Sequence, residues 1–189
     1  MSFNLIIGID PGTSGGITYY KNKRYNPVSI KNTIKYTNSD GKIKERSKID
    51  YDKIKQYLTH IKELGSPICF IEKVSLWSKD SSSFKFMRQE KMLRVHQTLL
   101  NILADLDIPY VEVHPRTWQV YLRLVHKFKV ETITERKNRY KVYAGIVGNC
   151  HVTHDTADSL LICEFGRRKL IQDSIYVAKN IITTKNLFK

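Results

Sequence analysis

Four acidic residues stand where a carboxylate has no evident structural use: Asp10, Glu72, Asp155 and Asp158. Asp10 closes the apolar run Leu5-Ile6-Ile7-Gly8-Ile9 and is followed at once by Pro11-Gly12. Glu72 closes a second run, Ile68-Cys69-Phe70-Ile71, and Asp155 and Asp158 open a segment that turns apolar at Leu160, Leu161 and Ile162. Burying a charge without a partner is costly. Two strand ends and one helix start that bring carboxylates together therefore need a cation between them, and the hard cation that suits all-oxygen ligands and works on phosphates is magnesium. Residues three apart share a helix face, so Asp155 and Asp158 can grip one ion. Helix capping would account for Asp155 but not for the pair. Pairing with Lys73 would account for Glu72, but neighbouring side chains on a strand point to opposite faces. His154 abuts Asp155; the simplest reading is a surface or structural histidine, the sharper one an aid to proton transfer.

These acids need elements to position them. Residues 5–10 read as a buried strand, Gly12 to Gly16 as a turn, and Ile17-Thr18-Tyr19-Tyr20 as a returning strand. Residues 24–37 supply one or two further strands, and Asn38-Ser39-Asp40-Gly41 is a turn signal. Asp50 is a candidate N-cap for a helix from about Tyr51 to Leu64, with Ile54, Tyr57, Leu58 and Ile61 on one face and Gly65 as its stop. A strand follows at 68–72. A long helix at roughly 84–105 carries Met92, Val95, Leu99 and Ile102 at helical spacing. Tyr110-Val111-Glu112-Val113 is a short strand ended by His114-Pro115; one helix covers about 134–147 and the last begins near Asp155. Strands first and alternation afterwards predict an α/β or α+β domain, a mixed sheet with helices packed on it.

The chain has 189 residues, and its size predicts a single domain, 1–189. The formal net charge is +14. A surface that basic attracts polyanions, nucleic acid first and anionic membrane second, although an abundance of Lys, Asn, Ile and Tyr also suggests codon bias. An acidic cluster within a basic chain reads as a site for cutting or copying nucleic acid. The cysteines, Cys69, Cys150 and Cys163, form no C-x-x-C pair and no zinc spacing with histidine. Cys69 and Cys163 lie in apolar runs and are expected as buried thiols in a reducing compartment. No signal peptide is evident, and no run approaches the ~20 apolar residues of a membrane helix, so a cytoplasmic protein is expected.

Gly8-Ile9-Asp10-Pro11-Gly12, then Ile71-Glu72-Lys73-Val74, then Asp155-x-x-Asp158 before an apolar helix resemble, in order and spacing, the RuvC-type Holliday-junction resolvases. The resemblance spans nearly the whole chain. Its small, lysine-rich character is similar to the phage-encoded branch, those of lactococcal phages in particular, whose products work in the bacterial host cell. It implies an RNase H-like fold of the retroviral-integrase superfamily, a homodimer, and cleavage of four-way junctions and related branched DNA by paired symmetric nicks. The four catalytic and metal-binding carboxylates would be Asp10, Glu72, Asp155 and Asp158. They would hold two magnesium ions that clamp the scissile phosphate, with Mn²⁺ a possible substitute. The basic residue expected before the last acidic pair best matches Lys137, with a catalytic or a phosphate-binding role. Bacterial members carry an aromatic residue three positions after the glutamate; here that position is Ser75, and its role at the junction core is vacant or falls to Leu76 or Trp77.

Candidate phosphate contacts are Arg88, Lys91, Arg94, Arg116, Lys127, Lys129, Arg136, Lys137, Arg139 and Lys141, each as readily a solvated surface charge. The segment Tyr121 to Lys129, with Arg123, has a DNA-facing composition. Trp77 and Trp118 could stack on bases, with core packing at least as good a use for Trp118. The apolar stripe of the 84–105 helix serves either a two-fold dimer interface or the sheet. Three other readings remain open. A sugar-kinase, actin or Hsp70-like ATPase would need a second phosphate loop that the chain lacks. A non-catalytic junction-binding protein would have no use for four acids. An RNase H acting on RNA–DNA hybrids would use the same metal site.

Overall fold

The computed structural model describes residues 3–12, 14–37, 39–74, 83–125 and 131–183. Five strands form one mixed sheet: β1 (Leu5–Asp10), β2 (Gly16–Lys21), β3 (Arg24–Ser29), β6 (Pro67–Glu72) and β7 (Tyr110–Val113), in the order β3-β2-β1-β6-β7. β1 to β3 run as an antiparallel meander, and β6 and β7 join parallel to β1. β4 (Lys31–Thr37) and β5 (Ile43–Ile49) pair as a separate two-stranded ribbon. The helices are α1 (Tyr51–Glu63), α2 (Ser83–Asp105), α3 (Pro115–Tyr121), α4 (Ile133–Gly148), α5 (His154–Gln172) and α6 (Ser174–Asn180).

Strand alternation sorts the core into two layers. Leu5, Ile7 and Ile9 of β1 and Cys69 and Ile71 of β6 face α1 and α2, meeting Ile54, Leu58, Val95, Leu99 and Leu103. Ile6 of β1, Ile68 and Phe70 of β6 and Val111 and Val113 of β7 face α5, meeting Leu160, Leu161, Cys163 and Phe165. Each such side chain leaving water contributes about 1.5–3 kcal/mol. The α2 stripe expected to serve a dimer or the sheet is thus spent on the sheet: Val95, Leu99 and Ile102 are buried in that layer.

The α5 layer is unusually close because three positions lack side-chain bulk. A Cβ on Gly8 would stand 2.3 Å from the Ser159 carbonyl oxygen and 2.4 Å from the Cys163 nitrogen. A Cβ on Gly16 would stand 2.7 Å from the Asp155 carbonyl, and one on Gly166 would meet the Phe70 ring at 2.3 Å. Glycine at these points lets α5 lie across β1 and β2, with its first turn beside the end of β1.

Most sequence-expected elements are present within a residue or two, including α1 with its cap: the Asp50 side chain accepts from the Lys53 N–H. Three were missed. β5, Ile-Lys-Glu-Arg-Ser-Lys-Ile, is apolar only at its ends and carries no clear strand pattern. α3 begins at Pro115, where the sequence pattern marks only the end of the strand; proline at the first helical position, behind His114 as N-cap, starts the helix instead. α6 is a separate short helix restarted by the Asp173 cap.

Candidate active site

Asp10 and Glu72 follow directly from the sheet register. Ile9 pairs with Ile71 in parallel, so the next residues, Asp10 and Glu72, end adjacent strands side by side. Alternation places both on the face of Ile6, Gly8, Ile68 and Phe70, the face that α5 covers. α5 starts at His154 behind Thr153, whose N–H donates to the Thr156 hydroxyl at 3.0 Å. The cap position is therefore taken by Thr153, and Asp155 and Asp158 stand in the first turn and just beyond it, against the strand ends.

Asp10 and Glu72 are each held by a hydrogen bond, and the acids stand in one another's field. The Gly12 N–H donates to Asp10 Oδ1 at 3.0 Å across a turn closed by Gly15 N–H to the Gly12 carbonyl at 2.8 Å. The Trp118 indole N–H donates to Glu72 Oε2 at 2.8 Å. Burial, then the charge of Asp10, lifts Glu72 to about 8, against the pull of the Trp118 bond. Burial, then Asp10, lifts Asp158 to about 7, opposed by Lys137 and Arg136. Burial also raises Asp10, with Asp155 adding to the rise and the Gly12 bond and Lys137 opposing it. All four acids thus belong to one electrostatic cluster with the α4 cations at its border.

Among the described residues, no three His, Cys, Asp or Glu side chains are gathered closely enough to hold a metal ion as they stand. The chemistry of the donor set nevertheless fits a hard divalent cation: four carboxylate side chains, with the pKa values of Glu72 and Asp158 pushed into the neutral range by burial and then by the charge of Asp10, an effect a bound cation reverses.

A cleft of about 570 Å³ opens beside Glu72 and Asp158, and Arg116, Arg136, Lys137 and Arg139 line it with His114 and Gln119. α3 supplies Arg116, and α4, opened by the reciprocal Thr132–Glu135 capping box, supplies the others. Arg139 is engaged by Glu131 through two bonds at 2.8 and 2.6 Å. A larger hollow of about 820 Å³ lies at the opposite end of the sheet, between Phe3, Tyr20, Ile171 and Ile175, with Arg167 its one charged residue; without acids it has no comparable chemistry.

Of the expected DNA-contact residues, the structure brings Arg116, Arg136, Lys137 and Arg139 into this cleft. Lys91 and Arg94 are exposed on α2, across the sheet from the carboxylates, and Arg94 is bonded to Glu90 at 2.6 Å. The side chain of Arg88, and Ser75, Leu76, Trp77, Lys127 and Lys129 altogether, lie outside the described residues. Base stacking by Trp118 is excluded: it is fully buried, edge-on to Tyr140 at 5.8 Å. Its place beside Glu72 is the functional position that sequence reasoning missed, because an indole N–H declares its partner only in three dimensions.

Strand order and flanking helices define an RNase H-like fold. The structure of Thermus thermophilus RuvC in complex with a Holliday junction substrate superposes with a TM-score of 0.54 at 10% sequence identity, covering 90% of this chain and 96% of that chain. A second T. thermophilus RuvC structure gives a TM-score of 0.47 at 12% identity over 88% and 95% of the two chains. At 10% identity the first of these likenesses, with a TM-score of 0.54, establishes the fold alone. No protein-family model matches the chain, and no curated protein matches it in sequence.

Proposed function

We propose that the chain is a metal-dependent, structure-selective DNA endonuclease that resolves four-way junctions, of the small phage-encoded RuvC type. The observation that supports it most is the single cluster of Asp10, Glu72, Asp155 and Asp158, on two adjacent parallel strand ends and one buried helix, beside a cationic cleft. The fold agrees with a RuvC captured on its junction substrate. Magnesium held by these four carboxylates would neutralise charge at the scissile phosphate and lower the pKa of the attacking water. The chain's own residues do the rest. Arg116 and Arg136 seat the phosphate backbone in the cleft. Lys137 offsets charge at Asp10 and Asp158, and reaches a phosphate there. The Trp118 and Gly12 N–H groups hold Glu72 and Asp10 in orientation before any ion arrives. A four-way junction needs two opposed nicks, which a two-fold dimer delivers.

The test is nicking of a labelled synthetic four-way junction in Mg²⁺, beside linear duplex and RNA–DNA hybrid, with Asp10→Asn as control. Paired symmetric nicks that fall by about 10²–10³-fold or more in the variant are expected. Preferential cutting of the hybrid would replace the junction reading with an RNase H one. Binding without cleavage in either Mg²⁺ or Mn²⁺ would sink the nuclease.

A further inference from the structure

We propose that the β4–β5 ribbon is a DNA-gripping arm, holding the phosphate backbone of a duplex that leaves the carboxylate site on the side away from the cleft. This rests on the nucleic-acid reading above. The register row Asp10–Gly16–Ser29 runs across β1, β2 and β3. The ribbon begins two residues after Ser29, so its base stands at the carboxylate end of the sheet, about two strand spacings or ~10 Å from the end of β1. The Arg116, Arg136 and Lys137 cleft lies on the other side, beside Glu72. Cleft, carboxylates and ribbon thus follow one another along that end of the fold.

The ribbon is planted firmly. Ile30 and Ile49 at its two roots are buried in the core layer with Ile54 and Leu58 of α1, and the Ile30 N–H donates to the Gly15 carbonyl at 3.2 Å. Beyond the roots, Lys31, Lys35, Thr37 and 39–44 are exposed. A Cβ at Gly41, which turns the tip at φ 72°, would meet nothing within 4 Å. Two seven-residue strands reach ~24 Å, the length of about seven base pairs.

Its charge complements a polyanion. From Lys31 to Ile49 the chain carries six Lys or Arg against two acids, Asp40 and Glu45. The register sets Glu45 opposite Lys35, at positions of one face, and sets Lys44, Arg46 and Lys48 opposite Tyr36, Ile34 and Asn32, at positions of the other. The second set of positions carries three cations and no acid. A two-stranded ribbon has the width that a major groove admits.

The test compares wild type with the combined Lys44→Gln, Arg46→Gln, Lys48→Gln variant, in binding titrations on a linear duplex and a four-way junction over a salt series. Lys44→Arg with Lys48→Arg is the charge-preserving control. A second variant removes 32–48 and joins the register partners Lys31 and Ile49 by an Asn-Gly turn. Both ribbon variants are expected to lose about ten-fold or more in duplex affinity, with the log–log salt slope shallower by about two to three, while the arginine control binds as wild type. Unchanged affinity and slope in both, with wild type still nicking junctions, would overturn the arm and leave the nuclease standing. Loss of duplex affinity in both, with wild type failing to nick, would keep the arm and remove the resolvase. A variant that becomes monomeric while its duplex affinity per protomer holds would make the ribbon a subunit contact and overturn the arm.

Discussion

At the scale of single residues, burial first and mutual repulsion second set the state of the acids. Glu72 is lifted from its ordinary 4.5 to about 8, and Asp158 from 3.8 to about 7, by burial and then by the charge of Asp10. A carboxyl raised in the folded state binds more protons there than when unfolded. Its contribution to stability is therefore intact below about pH 4 and is lost as pH rises through 7 to 8. The metal-free protein should show a thermal midpoint that falls between pH 5 and 8, with Mg²⁺ restoring more of it at each higher pH. Glu72→Gln should flatten the fall; a midpoint in EDTA that is pH-independent, or unaffected by Glu72→Gln, would contradict the coupling. Trp118→Phe removes a bond that holds Glu72 down, so Glu72 should rise further and the acid limb of the cleavage profile should move to higher pH. The lost bond should cost about 1–3 kcal/mol of stability. A profile that merely scales down without moving would reduce Trp118 to packing. Asp10 and Glu72 were legible in the sequence because each closes an apolar run, and Asp155 and Asp158 because they stand three apart where an apolar helix opens. Trp118 was not, since a buried tryptophan with a polar partner and one without look alike in one dimension.

Elements explain why the acids meet at all. The parallel register of β1 and β6 fixes Asp10 beside Glu72, and the close approach of α5 over Gly8 and Gly16 fixes Asp155 and Asp158 above them. Gly8→Ala puts a methyl into the Ser159 carbonyl and the Cys163 backbone, with no flexible side-chain tip to yield. Overpacking of this kind costs about 1–3 kcal/mol, roughly 2–12 °C in a chain of this size. Cleavage should fall with it even at temperatures where the variant is fully folded, because α5 is displaced from the strand ends. Full activity in a destabilised Gly8→Ala would separate the packing from the site. The strands and long helices were legible from periodicity. β5 was hidden by charges that serve an exposed ribbon, and α3 by a proline that starts a helix as readily as it ends a strand.

For the whole molecule, the proposed function would use a net charge of +14 around an acidic centre to separate attraction from catalysis. Junction binding should weaken steeply with salt, in proportion to the phosphates contacted, whereas single-turnover nicking at saturating protein should change little; equal salt sensitivity of both would mean that the cations act in the chemical step. No helix among the described residues is long and apolar enough to cross a membrane. α5 also has a consequence for motion. Leu160 to Gly166 are buried without interruption, and the same helix carries two of the four acids. Local opening of such a segment would take the core with it, so its amide hydrogens should exchange with solvent only when the entire fold opens. Amides of β4 and β5, each strand with one neighbour in its ribbon, should exchange far sooner, so that the slowest clock in the protein is read at the site that needs the most constant geometry.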